Sequence, residues 1–167
     1  MQGPRYSVKP RRRREGKTDY RKRLRLLKSG KVRMVVRKSI KNTQIQLIEY
    51  KEEGDNIIVS ANSNELIKKY NWKFSTSTTP AAYLTGLLVG KRAKDKGIKE
   101  CVVDIGQHPP VTGSKLFASI KGASDAGLSC PVKEEKISKE DRIMGKHLSK
   151  DIEPALKEIK NKIIGGK

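Results

Sequence analysis

Apolar and polar residues alternate from Val32 to Lys38, with Val32, Met34 and Val36 on one side and Arg33, Val35 and Arg37 on the other. A period of two marks a half-buried strand. The alternation resumes from Thr43 to Tyr50, where Thr43, Ile45 and Leu47 oppose Gln44, Gln46 and Ile48. Glu52 to Asn56 is a turn signal, and Ile57-Ile58-Val59 forms a short apolar strand within Asn56 to Ala61. Three strands joined by short turns predict an antiparallel meander. Its apolar face needs a cover, and its other face is expected to stay open, carrying Arg33, Arg37, Gln44 and Gln46. That face suits RNA backbone and 2′-hydroxyl contacts; an ordinary solvated face fits the same pattern.

Helical signals follow. Asn64 to Tyr70 is a short helix candidate, and Trp72 and Phe74 read as core or edge packing rather than base-stacking platforms. Thr79-Pro80 is an N-cap followed by proline at the first helical position, opening a largely buried helix to about Lys96, with Gly97 as its stop. Gly86 and Gly90 suggest close helix–sheet approach. Glu100 to Ile105 is an apolar strand, which a helical crossover places parallel to a neighbour. Ser114 caps a further helix from Lys115 to Ala126, and Gly122, Ala123 and Ala126 keep it thin for close packing. Ile152, Leu156, Ile159 and Ile163 stripe a terminal surface helix that faces the body or another protein. The fold class expected is α/β: a three-stranded meander plus a crossover strand in one mixed sheet, with packed helices. Residues 1–31 form a basic arm, 32–131 the body and 132–167 a C-terminal extension.

Charge changes this picture most at the front. The 167 residues hold 38 Lys and Arg against 18 Asp and Glu, a formal net charge of +20. Residues 1–31 alone carry 13 basic and 2 acidic side chains. Arg11 to Arg14 are four consecutive arginines, so the first half of the arm is expected to be extended and mobile until a polyanion orders it. In its second half Thr18 or Asp19 can N-cap a short helix, whose stripe Tyr20, Leu24 and Leu27 docks on the body while Arg21, Lys22, Arg23 and Arg25 point outward. Such a charge favours nucleic acid first and an anionic membrane surface second. No stretch reaches the ~18 apolar residues of a spanning helix, and no secretory signal is recognised. Two cysteines cannot make a disulfide scaffold, so a reduced intracellular setting is expected.

Catalytic chemistry finds little support. Cys101, His108, Cys130 and His147 lack the paired spacing of a zinc site, so no metal is expected. Gly16-Lys17-Thr18 mimics the tail of a phosphate loop, but Arg11 stands where its first glycine belongs. Cys101 reads as an inert core thiol. Asp104 and His108 form a conceivable acid–base pair for an RNA-processing enzyme, although a satisfied loop carboxylate explains Asp104 as well. Gly113-Ser114-Lys115 is a phosphate-binding candidate, because backbone N–H groups at a helix start attract anions, and Lys121 could extend it.

Longer motifs add a family. Arg11-Arg12-Arg13-Arg14-Glu15-Gly16-Lys17-Thr18-Asp19-Tyr20 precedes Arg23-Leu24, Leu26-Leu27 and Arg33-Met34-Val35-Val36-Arg37. Ala81-Ala82-Tyr83-Leu84-Thr85-Gly86-Leu87-Leu88, Asp104-Ile105-Gly106 and Lys121-Gly122-Ala123-Ser124-Asp125-Ala126-Gly127-Leu128 follow in order. From about residue 4 to about residue 148 the chain resembles the large-subunit ribosomal protein L-eighteen family in its archaeal/eukaryotic form. The resemblance implies a cytoplasmic structural protein of the large ribosomal subunit, not an enzyme, with no cofactor, membrane or small-molecule substrate. It implies binding to 5S rRNA in the central protuberance, attachment to the large-subunit (23S-type) rRNA, and a neighbouring L-five-type ribosomal protein. The residues expected to contact RNA are Arg5, Lys9, Arg11, Arg12, Arg13, Arg14, Lys17, Arg21, Arg23, Arg25, Arg33, Arg37, Lys38, Lys41, Ser114, Lys115 and Lys121. Arginine suits phosphate crevices because its planar fork binds bidentately and stacks on bases; Tyr6 adds a stacking surface, and Tyr20 reads as packing inward rather than stacking.

Overall fold

The computed structural model describes residue 3 and residues 6–165, so Arg5 lies outside the described residues. Strands β1 (Arg33–Lys38), β2 (Thr43–Lys51), β3 (Gly54–Asn62) and β4 (Val102–Asp104) make one mixed sheet in the order β3-β2-β1-β4. The first three are the expected meander, and β4 runs parallel to β1 with Met34 opposite Val103. Around the sheet lie α1 (Arg11–Arg14), α2 (Tyr20–Leu27), α3 (Asn64–Tyr70), α4 (Thr79–Asp95), α5 (Lys115–Asp125), α6 (Glu140–Ile143) and α7 (Ile152–Gly165). The α/β class with a crossover strand is therefore the observed architecture. The cap of α4 sits one residue earlier than expected: the Thr78 hydroxyl accepts from the Ala81 amide, and Pro80 occupies the second helical position.

Met34, Val36, Ile45, Leu47, Val59 and Ala61 form the inner face of the sheet, buried under α4 and α5. Trp72 joins this core, as the pattern suggested, and meets Phe74 edge-on at 5.2 Å between ring centres. The glycines of α4 correct an expectation. A Cβ on Gly86 would overlap the Ser119 carbonyl, and one on Gly90 would meet Ala126 and Ala123; reciprocally, a Cβ on Gly122 would overlap the Tyr83 carbonyl. The close approach is helix to helix, α4 against α5, and not helix to sheet. Helix α7 lays Ile152, Leu156, Ile159 and Ile163 against α4 and into the same core. Burying each such side chain is worth about 1.5–3 kcal/mol, so this stripe is spent within the chain.

The other sheet face departs most from expectation. It is not open: Val35 and Ile48 are buried, and Leu26 of α2 shares a cleft with them. Nor does α2 dock by the stripe Tyr20, Leu24, Leu27. Leu24 is 56% exposed and Tyr20 39%, while Lys22, Arg23, Leu26 and Leu27 are half-buried. Two polar anchors set this rotation, the Arg23–Asp55 ion pair and the Lys22 bond to the Gly106 carbonyl. Arg11 to Arg14 are likewise not extended. They form a single helical turn, closed by Gly16 at φ +63° and by Arg12 Nε donating to Thr18 Oγ1 at 2.8 Å.

Candidate nucleic-acid interface

The arm, the sheet and the loop after β4 meet around two carboxylates. Asp55, at the start of β3, accepts both guanidinium nitrogens of Arg23 at 2.9 and 2.8 Å, and Nη2 of Arg33 at 2.8 Å. Asp104, at the end of β4, accepts Nη1 of Arg33 at 3.1 Å and the Gly106 amide at 2.8 Å. Arg37 donates to the Asp104 carbonyl at 3.2 Å and approaches its carboxylate at 3.8 Å. Hydrogen bonds from Arg23 first, and from Arg33 after it, hold the Asp55 carboxyl below the ordinary aspartate range. Two acids thus fix three arginines, and a charged guanidinium at 2% exposure is tolerable because it has partners on both sides.

Gly106 is the pivot of the loop. Its φ is +63°, and a Cβ there would stand 2.9 Å from Arg37 Nη1, so the guanidinium lies flat on the bare backbone. Its carbonyl accepts Lys22 Nζ at 2.8 Å. The motif Asp104-Ile105-Gly106 therefore ties the arm to the sheet edge through one side chain and one backbone turn. The acid–base reading of Asp104 with His108 gives way to the satisfied loop carboxylate, since the Asp104 oxygens are engaged by Arg33, Arg37 and Gly106.

These contacts divide the expected RNA-binding residues. Arg33 is corrected: it is buried beneath α2 and committed to Asp55 and Asp104, so it presents nothing to a partner. Arg23 faces inward to Asp55, and Arg37 keeps 45% of its side chain exposed. Lys9, Arg11 to Arg14, Lys17, Arg21 and Arg25 are exposed. Glu15 sits 2.8 Å from Lys17 and 3.8 Å from Arg11, whereas Arg13, Arg14, Arg21 and Arg25 have no acidic partner among the described residues. Two clefts open here. One, of about 510 Å³, runs between Arg12, Lys17, Tyr20 and the Arg37 edge. The other, of about 720 Å³, lies between Arg13, Arg21 and the His108-Pro109-Pro110 loop.

A second set of cations borders the loop. Lys38 and Lys41 are exposed on the β1–β2 hairpin, whose tip carries Ile40 at 92% exposure. Thr76 Oγ1 donates to the Lys41 carbonyl at 2.6 Å, and Lys115 Nζ donates to the carbonyls of Ser39 and Ser77 at 3.2 and 3.3 Å. Lys115 thus braces the hairpin, and desolvation, with Lys38 adding repulsion, lowers its pKa. Desolvation first, and the cations Lys38, Arg37 and Lys115 after it, likewise lower the pKa of His108. Ser114 holds the N-cap position of α5, but its hydroxyl makes no capping bond; it is buried without a partner among the described residues. Lys121 does not extend this surface. It pairs with Asp125 at 3.0 Å, and six residues along a helix place it about 240° from Lys115.

Sequence reading missed Asp55 and Ile40, and it pointed Lys22 outward, where the side chain reaches the Gly106 carbonyl. Asp55 is visible only as part of the turn Glu52 to Asn56, and Ile40 as an isolated apolar residue in a turn. No metal-ligating cluster of His, Cys, Asp or Glu occurs among the described residues, and no described helix is long and apolar enough to cross a membrane.

Comparison with known proteins matches residues 4–99 to the family described as ribosomal large subunit proteins 60S L5 and 50S L18. The large ribosomal subunit protein uL18 of Aeropyrum pernix is 52% identical over 156 residues, covering 93% of this chain and 72% of the relative. That of Staphylothermus marinus is 52% identical over 147 residues, 88% of this chain and 73% of the relative. That of Desulfurococcus amylolyticus is 51% identical over the same length, covering 75% of the relative. The likeness to these relatives runs well past residue 99, through the Asp104-Ile105-Gly106 turn that anchors the arm. With an arm, a sheet edge and a loop assembled around Asp55 and Asp104, and with these matches, the chain belongs to the family of ribosomal large-subunit proteins 60S L5 and 50S L18, structural proteins and not enzymes.

Proposed function

We propose that this protein is a structural constituent of the large ribosomal subunit, binding 5S rRNA and helping to attach it to the large-subunit rRNA in the central protuberance, beside an L-five-type protein, in the cytoplasm. The observation that carries the reading is the run of exposed arginines on α1 and α2, of which Arg11 alone approaches an acid among the described residues, set against a hairpin that carries Lys38 and Lys41. Arg13, Arg14, Arg21, Arg25, Lys38 and Lys41 face phosphates; Arg37 lines the cleft floor; Ile40 and Tyr20 offer apolar surface to exposed bases. Arg23 and Arg33 act behind them by fixing the direction of the arm.

The test is 5S rRNA affinity as a function of salt. Contact with ~8 phosphates gives a log–log slope of about −6 to −7, because each neutralised phosphate releases counterions. Removing residues 1–17 is expected to make that slope shallower by about 3 and to leave the melting temperature nearly unchanged. An unchanged slope refutes the arm's role. Duplex DNA and anionic vesicles as competitors separate this reading from general polyanion binding, since only a 5S-specific surface keeps its RNA in their presence.

A further inference from the structure

The two cysteines meet in the core beside β4. Cys101 Sγ and Cys130 Sγ are 3.1 Å apart, and both are thiols. Backbone pairing brings them there. Glu100 and Ser129 form a parallel bridge, with Ser129 N–H donating to the Lys99 carbonyl at 2.9 Å and Cys101 N–H to the Ser129 carbonyl at 3.0 Å. Each cysteine is the next residue along its segment, so both side chains leave the same face of the bridge. Paired segments lie about 4.7–4.9 Å apart, within the Cα separation of about 4.4–6.8 Å that a disulfide requires. Cys101 is 1% exposed, whereas Cys130 is only partly buried, so a reagent reaches Cys130 first.

We infer that Cys101 and Cys130 are a redox modification site, closing to an intramolecular disulfide on reaction with a low-molecular-weight disulfide of the glutathione class. The hydrogen bond from Cys101 favours the Cys130 thiolate, while that same bond and burial push the Cys101 thiol up. The Cys130 thiolate attacks one sulfur of oxidised glutathione; its S–S bond breaks and one glutathione thiolate leaves. Cys101 then loses its proton to solvent and attacks the Cys130 sulfur, expelling the second glutathione thiolate. Two protein S–H bonds are lost, one S–S bond forms, and one oxidised glutathione becomes two thiols. The closed loop, residues 101–130, contains β4, the Gly106 turn and α5. The bond therefore staples the short β4 edge to the segment that follows α5.

The full-length chain incubated with oxidised glutathione at about pH 8, then unfolded and alkylated, reads this directly. The expected product has lost two hydrogens, carries neither alkyl group nor glutathione, yields a crosslinked Cys101–Cys130 peptide, and melts about 10 °C higher until reduced. Cys101→Ala is expected to stop at the mixed disulfide on Cys130. Alkylation of both cysteines, a lasting glutathione adduct on the native chain, or a crosslinked dimer each overturns the proposal. Should the alanine variant fail to fold, the native chain's mass and peptide map still decide.

Discussion

Arg21 and Arg25 point into solvent from the same short helix on which Arg23 is half-buried against Asp55, and Arg33 lies buried in β1, ten residues on from Arg23. The residues are chemically identical and nearly adjacent. What separates them is whether a carboxylate reaches them. Asp55 and Asp104 engage Arg23, Arg33 and Arg37; the outer arginines on α1 and α2 have little acid to meet. The inner set is architecture that aims the arm, and the outer set is free charge. Counting positive residues in a basic segment thus overstates what a polyanion can touch, because part of the charge is already neutralised inside the protein.

The sharpest way to break this contrast is to remove the acid from the inner set. Asp104→Ala leaves the Arg33 guanidinium buried with only one of its two partners and frees the Gly106 turn. Breaking a buried pair from one side costs about 3–5 kcal/mol. The expected outcome is a melting temperature lower by roughly 10 °C in thermal unfolding. Arg13→Ala with Arg14→Ala is expected to stay within about 0.5 kcal/mol of the parent. Equal losses in the two variants would erase the distinction between inner and outer cations.

Why the sequence conveys one set and not the other is a matter of distance along the chain. The strands declare themselves by period, and the start of α4 by Thr79-Pro80 to within one residue, because these signals are local. The Arg33–Asp104 pair spans 71 positions and Arg33–Asp55 spans 22, so neither acid advertises its partner. Arg33 therefore reads as an outward residue on a polar face. The same limit explains the glycines: Gly86 and Gly122 announce a close approach but not what approaches, and the answer is another helix. It also explains α2, where an apolar stripe at Tyr20 and Leu24 loses to two polar anchors on the opposite side. The Cys101–Cys130 contact likewise depends on a bridge between segments 29 residues apart.

Acid sharpens the comparison at a lower cost. The folded-state pKa of Asp55 is depressed, so the stability it contributes is present above the unfolded carboxylate value of about 3.9 and is lost as pH falls through the lower folded value. Glu65, hydrogen-bonded by Arg92 at 2.6 Å on the far side of the sheet, is held at about 2 and keeps its charge well into that range. Below about pH 3.9 the amides of Arg23 to Leu27 are therefore expected to lose hydrogen-exchange protection ahead of those in α4. Asp55→Asn should reproduce that loss at neutral pH, with about 1–2 kcal/mol lower protection in α2. Unchanged α2 exchange in that variant would show that Leu26 and Leu27, and not the ion pair, hold the arm down.

The smallest expected effect reports on the hairpin and loop beside the arm. His108 is kept below the ordinary histidine value by burial first and then by Lys38, Arg37 and Lys115. Phosphates that neutralise those cations remove the repulsion and favour the imidazolium. Binding of 5S rRNA is therefore expected to raise the His108 pKa, read from its ring resonances in a ¹³C-labelled sample. The linkage runs both ways, so RNA affinity should increase as pH falls through the His108 range. His108→Gln should flatten that dependence without altering the salt slope, since the glutamine leaves Lys38, Lys41 and the arm untouched. A His108 titration that ignores RNA would remove the loop and hairpin from the interface and confine it to the arm.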